Sequence, residues 1–140
     1  MGATALILVD SNIWIYYLDA STKEHSKVKS ALPRALGREL LVPTVVQMEV
    51  VHYLVGRLAG RAEAHVETFL SQEADVEPLT GGVVMEAARL LLASTGQGIG
   101  GRDACLLVTA KRRDATILTH DAALIAAAKE LGVRTVDPAA

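Results

Sequence analysis

Four carboxylates stand out in the sequence because of where they fall relative to apolar runs. Asp10 closes the run Ala5 to Val9, and Asp121 follows soon after the run Ala115 to Leu118. Asp103 opens an apolar segment just after the glycine-rich stretch Gly96 to Gly101. Glu49 is placed differently: its helical neighbours three and four positions away are Val45, Val46, His52 and Tyr53, so it shares a mostly apolar face. Burying an unpaired carboxylate costs on the order of the whole stability of a domain, so Glu49 needs a cation or a proton. That cation is either a metal ion or a lysine or arginine from another element.

Taken singly, Asp10, Asp103 and Asp121 each read as helix caps or as partners of a helix dipole. Taken together, three Asp and one Glu at strand or helix ends make an oxygen donor set, which in the absence of cysteine ligands favours Mg2+ or Mn2+. Clustered carboxylates raise each other's pKa unless a divalent cation compensates them. A metal held this way acidifies bound water and stabilises a phosphodiester under attack, so hydrolysis of a nucleic-acid backbone is the chemistry the set suggests.

Positioning such a set requires strands whose ends share one edge. Ala5 to Val9 reads as a fully buried strand, and Ser11 or Asn12 can cap a helix over Ile13 to Leu18. A polar helix over Lys23 to Leu36 should end or kink at Pro33, and Leu40 to Val42 is a second strand. Thr44 and Gln47 have the spacing of a capping box before the apolar run Val45 to Val55, with Gly56 as a stop. Further helices are expected over Arg61 to Gln72, from a Thr80 cap to Thr95, over Arg102 to Arg113, and from His120 or Asp121 to Leu131 with Gly132 at the C-cap. Asp75 to Leu79, Ala115 to Leu118 and Arg134 to Val136 complete the strands. Alternating strands and helices imply crossover connections, hence an α/β fold with a central parallel sheet of about four to five short strands flanked by helices.

The 140 residues suit a single domain over 1–140, so one active site is expected. Hydrophobic residues at 51% and charged ones at 21% exclude a disordered chain, and aromatics at only 4% leave Ala, Val, Leu and Ile to fill the core. A net charge of −2 means that any nucleic-acid surface must be local. The lone Cys105, in an apolar run, reads as an inert thiol and permits no intrachain disulfide. No apolar stretch approaches the ~20 residues of a membrane span, nor does the start carry a charged segment ahead of a signal-type core, so a cytoplasmic location is expected.

Other signals carry less. Gly96, Gly98 and Gly101 fit a dinucleotide-binding glycine pattern on paper, but the loop follows a helix instead of a first strand. Lys111, Arg112 and Arg113 form the densest basic cluster, either a phosphate-holding patch or a solvated helix end, whereas Arg102 beside the acids is the better candidate for substrate contact. Trp14, Tyr16 and Tyr17 suit core or interface packing better than base stacking.

The stretches LVDSNIWIYYL from Leu8, VPTVVQMEVVHYL around Glu49 and RDACLLVTAKRRDATILTHDAAL from Arg102 resemble the PIN-domain nucleases, in particular the VapC-type toxins of prokaryotic toxin-antitoxin pairs. The resemblance spans nearly the whole length. It implies that Asp10, Glu49, Asp103 and Asp121 are the catalytic, metal-binding quartet and that Ser11, Asn12 and Thr119 are small polar residues beside the metal. It further implies magnesium or manganese dependence, RNA cleavage, a homodimer and an antitoxin whose peptide arm covers the active site. Two rivals stand beside it. One is a magnesium-dependent phosphatase or phosphotransferase with an aspartyl nucleophile, whose haloacid-dehalogenase relatives usually carry Asp where Asn12 stands. The other is a non-catalytic PIN-fold binding module, which loss of one or more of the acids would mark.

Overall fold

The computed structural model describes residues 6–36, 39–93 and 98–140, the side chains of 33–36 excepted. Its centre is β1, Ile7–Val9, three apolar residues that are all buried, as a strand covered on both faces requires. Then come α1 (Ser11–Leu18), α2 (His25–Leu36), β2 (Leu40–Pro43), α3 (Thr44–Leu58), α4 (Ala62–Leu70), β3 (Asp75–Glu77), α5 (Gly81–Ala93), α6 (Gly101–Arg113), β4 (Thr116–Leu118), α7 (Ala122–Leu131) and β5 (Thr135–Val136). The strands form one parallel sheet in the order β3-β2-β1-β4-β5. Leu8 pairs with Leu41 on one side and Ile117 on the other. This is the α/β architecture expected from the alternation of elements, with five strands.

The order of the strands decides where a site can form. From β1 the chain moves outward through β2 to β3, then returns to the other side of β1 for β4 and β5. The crossovers diverge between β1 and β4, and in open parallel sheets the crevice at such a switch point, beyond the carboxyl ends of the strands, is where ligands bind. Asp10 follows β1, and Thr119 and Asp121 follow β4.

The main core joins the sheet residues Leu8, Leu41 and Ile117 to Ile13, Trp14, Val46, Val50, Leu54, Leu106 and Leu124 from the helices. A smaller cluster, Val83, Ala87, Ala104 and Val108, glues α5 to α6 and so fixes the helix that carries Asp103. No described helix is long and apolar enough to cross a membrane.

Several boundaries differ from expectation for identifiable reasons. Neither Ser11 nor Asn12 caps α1; Asp10 does, accepting a 2.7 Å hydrogen bond from the Ser11 amide. No capping box forms at Thr44, which lies inside α3 behind Pro43 and whose Oγ1 accepts from the Leu79 amide at 3.1 Å. Gly56 does not stop α3, which runs on to Leu58 and ends at Ala59 with a positive φ of 46°, followed by a 3-10 turn over Ala59–Arg61. Nor does Pro33 end α2, which continues to Leu36. Thr80 caps α5 through the Val83 amide at 3.3 Å, and Gly132, at φ 74°, closes α7 in the left-handed conformation its sequence position suggested. The expected extensions to Ala5 and Thr95, and the start of the glycine loop at Gly96, lie outside the described residues.

Candidate active site

Asp10 is the most deeply placed of the four acids. Strand β1 carries it to the switch point, and its side chain is only 1% exposed. Its Oδ1 accepts from the Ser11 amide and its Oδ2 from the Thr119 hydroxyl at 2.7 Å. Thr119 Oγ1 in turn accepts from the Asp121 amide at 3.1 Å. One buried hydroxyl therefore joins the turn after β4 to the carboxylate after β1. Asp121 caps α7, with Oδ1 accepting from Ala123 at 2.9 Å and Leu124 at 3.1 Å, and its Oδ2 accepts no hydrogen bond among the described residues.

Thr119→Val keeps the shape of this link and removes its hydroxyl, leaving Asp10 Oδ2 and the Asp121 amide each short of a partner. Unmet buried groups cost about 1–3 kcal/mol, so urea denaturation should show a loss of about 2 kcal/mol with an unchanged denaturant slope. A loss below about 0.5 kcal/mol would show that the link contributes little.

Glu49 projects from α3 and Asp103 from the first turn of α6, and between them lies Arg102. Its Nε donates to both Glu49 oxygens at 2.9 and 2.8 Å, Nη1 to Asp103 Oδ1 at 2.7 Å, and Nη2 to Ser11 Oγ at 2.9 Å and to Asp10 Oδ1. The planar fork of a guanidinium, with donors on all three nitrogens, is what allows one side chain to meet three carboxylates. Burial works against its charge, but Glu49, Asp10 and Asp103 outweigh that and hold it firmly protonated. Asp103 is pushed above the usual carboxylate range by burial, with Asp121 and Asp10 adding repulsion that Arg102 only partly offsets.

Asp10, Glu49 and Asp103 are thus gathered on one guanidinium. Asp121 lies outside that hydrogen-bonded group but close enough for its charge to act on Asp103. Glu49, whose side chain is 36% exposed and so is not the buried carboxylate its apolar neighbours suggested, pairs with an arginine from another element, and no group of three or more acidic, His or Cys side chains among the described residues is drawn close enough to hold a metal ion. The donor set nonetheless suits a hard divalent cation, because every candidate ligand is an oxygen. Asn12, the next polar residue along, has a buried side-chain oxygen with no hydrogen-bond partner among the described residues.

The rest of the sequence-predicted residues fall elsewhere. Arg112 and Arg113, at the far end of α6, pair with Glu86 and with Asp75 and Glu77, and Lys111 reaches the Leu131 carbonyl at 3.5 Å. Ten residues of helix separate Asp103 from Arg113, about 15 Å, so this cluster borders the acids only distantly. Cys105 is half-buried, and burial pushes its thiol up, away from the reactive thiolate. Beside the site, His120 Nδ1 lies 2.8 Å from an Asp137 oxygen, with the Tyr16 ring edge-on to the imidazole, a pair that sequence spacing alone did not mark.

A parallel α/β sheet with acids collected at its switch point defines a class, and the comparisons give it a name. Residues 7–130 match the family model for the PIN domain, and the chain belongs to that family. Among solved structures, VapC20 of Mycobacterium tuberculosis, a toxin that cleaves the sarcin-ricin loop, superposes with a TM-score of 0.73 at 20% identity, covering 86% of this chain and 94% of that one. FitAcB of Neisseria gonorrhoeae gives 0.72 at 22% identity, covering 94% and 97%. VapBC2 of Rickettsia felis, bound to a fragment of promoter DNA, gives 0.72 at 15% identity, again covering 94% and 97%. No curated protein matches the chain significantly in sequence.

Proposed function

We propose that the protein is a metal-dependent endoribonuclease that hydrolyses RNA phosphodiester bonds, acting as the toxin of a VapBC-type toxin-antitoxin pair. The observation that carries this reading is the convergence of Asp10, Glu49 and Asp103 on one point at the sheet's switch point, with Asp121 alongside, in a chain of the PIN family. Asp10, Glu49, Asp103 and Asp121 would hold Mg2+ or Mn2+, with Ser11, Asn12 and Thr119 beside them. The bound ion would supply an acidified water and positive charge against the phosphate.

The protein's own contribution is placement. Thr119 and the Ser11 amide fix both oxygens of Asp10, and the α7 amides fix one oxygen of Asp121 while the other has no hydrogen bond among the described residues. Arg102 is the cation best placed to touch an RNA phosphate, with Lys111, Arg112 and Arg113 a more remote basic strip. An antitoxin partner, a homodimer and a cytoplasmic location complete the reading. It is supported by similarity in fold to toxin-antitoxin assemblies such as VapBC2.

Incubating the purified chain, freed of any partner, with labelled RNA should give discrete fragments in Mg2+ or Mn2+ and none with EDTA. Intact RNA together with metal-dependent phosphate release from small phosphoesters would sink the nuclease in favour of a phosphatase. Neither activity would leave a non-catalytic binding module.

A further inference from the structure

The site as it stands holds a cation of its own, and this bears on how it takes up metal. Of the carboxylates that would hold a divalent cation, both oxygens of Glu49, Oδ1 of Asp103 and Oδ1 of Asp10 already accept from Arg102. A guanidinium and a metal ion cannot occupy the same centre, and with the guanidinium in it the acids stand too far apart to chelate. We propose that Arg102 is an exchangeable internal counter-ion that fills the metal position in the metal-free chain and leaves it when a divalent cation enters. The inference rests on the reading of the quartet as a metal site.

Three features make the exchange physically reasonable. First, one positive charge faces three carboxylates, so the arginine leaves the cluster negative. A dication compensates the cluster better. Second, the Arg102 side chain is 28% exposed whereas Asp10 is 1% exposed, so the guanidinium has a route to solvent that the carboxylate lacks. Third, Arg102 belongs to the first turn of α6, next to Gly101 and Gly100, where an added Cβ would meet nothing within 4 Å. Among the described residues, the space beside the backbone that precedes it is open.

The arrangement has two consequences. Before metal arrives, the arginine keeps mutually repelling acids within reach of one guanidinium, so the ion has only to draw them closer. It also sets a threshold, because a cation must compete with three charge-assisted hydrogen-bond partners that are already satisfied. Once displaced, the guanidinium remains tethered beside Asp103, free for the phosphate contact proposed above.

The test is metal binding by the full chain, read without RNA. Free Mn2+ counted by electron paramagnetic resonance gives the affinity of the natural protein, of Arg102→Gln and of Arg102→Lys. In parallel, the Arg102 Nε–H signal is followed by NMR as Mg2+ is added. Arg102→Gln should bind Mn2+ at least about tenfold more tightly than the natural protein, since no internal cation competes. Arg102→Lys, charged but without the fork, should fall between them, and it serves alone if the glutamine variant does not fold without metal. The Nε–H should be protected from solvent exchange without metal and lose that protection at saturating Mg2+. Equal or weaker Mn2+ binding by the variants, or an Nε–H still protected at saturation, overturns the exchange and leaves the nuclease reading standing. Absence of Mn2+ binding in all three proteins overturns both.

Discussion

Asp10→Asn is expected to leave a folded protein whose metal-dependent RNA cleavage is lost by more than about a hundredfold, beyond the 10–100-fold typical of residues that only support a metal ligand. The two halves of that expectation come from the same contacts. Asparagine can keep its oxygen toward the Ser11 amide and Arg102 Nη2 while its amide nitrogen donates to the Thr119 hydroxyl oxygen, so that only the Thr119 O–H is left short of an acceptor. The cost in stability should therefore stay within about 2 kcal/mol, readable as a modest shift in a thermal melt. The negative charge, however, is gone from the most buried of the four acids, and with it the strongest pull on a divalent cation in a low-dielectric place. A variant that melts normally and still cleaves within about tenfold of the natural protein would remove Asp10 from the proposed metal site. A variant that does not fold would show instead that the charge, through Arg102, is structural.

How much of this was legible in the sequence depends on the range of the interaction. Local devices could be read: the apolar run that delivers Asp10, the Asp121 cap and the Gly132 stop of α7, and the Thr80 cap all involve neighbours within a few residues. Local patterns failed where a distant group made the better offer. Thr44 has the spacing of a capping box, yet its hydroxyl serves the Leu79 amide, 35 residues away. Gly56 has a stop residue's identity but sits in the body of α3; a helix tolerates such a glycine at about 1 kcal/mol when packing continues on its other face. The acids show both sides of the matter. Apolar neighbours suggested that Glu49 is buried and needs a cation, yet its side chain is 36% exposed, and the cation it meets, Arg102, comes from 53 residues further on. A signal was present: an arginine directly before Asp103 at the start of an otherwise apolar helix has no obvious surface role, and Glu49 lacked a charge partner of its own. Read together, the two would have paired.

Trp14→Ala should be the most destabilising single change, at about 3–5 kcal/mol, whereas Trp14→Phe should cost about 1 kcal/mol or less. Trp14 is wholly buried one turn beyond Asp10, and its ring meets Phe69 of α4 edge-on with centroids 5.1 Å apart. Alanine would leave a cavity beneath the first helix, at the point where α1 is held against the rest of the core. Phenylalanine fills much of that space and also removes a liability, because the indole Nε1 is buried without a hydrogen-bond partner among the described residues. An unmet donor of this kind normally costs about 1–3 kcal/mol, so its loss offsets part of the lost packing. The contrast between the two variants, measured by urea denaturation, separates shape from polarity. Equal large losses would mean that the indole nitrogen has a water or other partner that phenylalanine cannot replace. The alanine variant also connects packing to chemistry: the amide that fixes Asp10 belongs to the first residue of α1, and Trp14 Nα–H bonds back to the Asp10 carbonyl at 3.2 Å. A loosened α1 should therefore lower cleavage even at temperatures where most molecules remain folded, through a site that is present but poorly held.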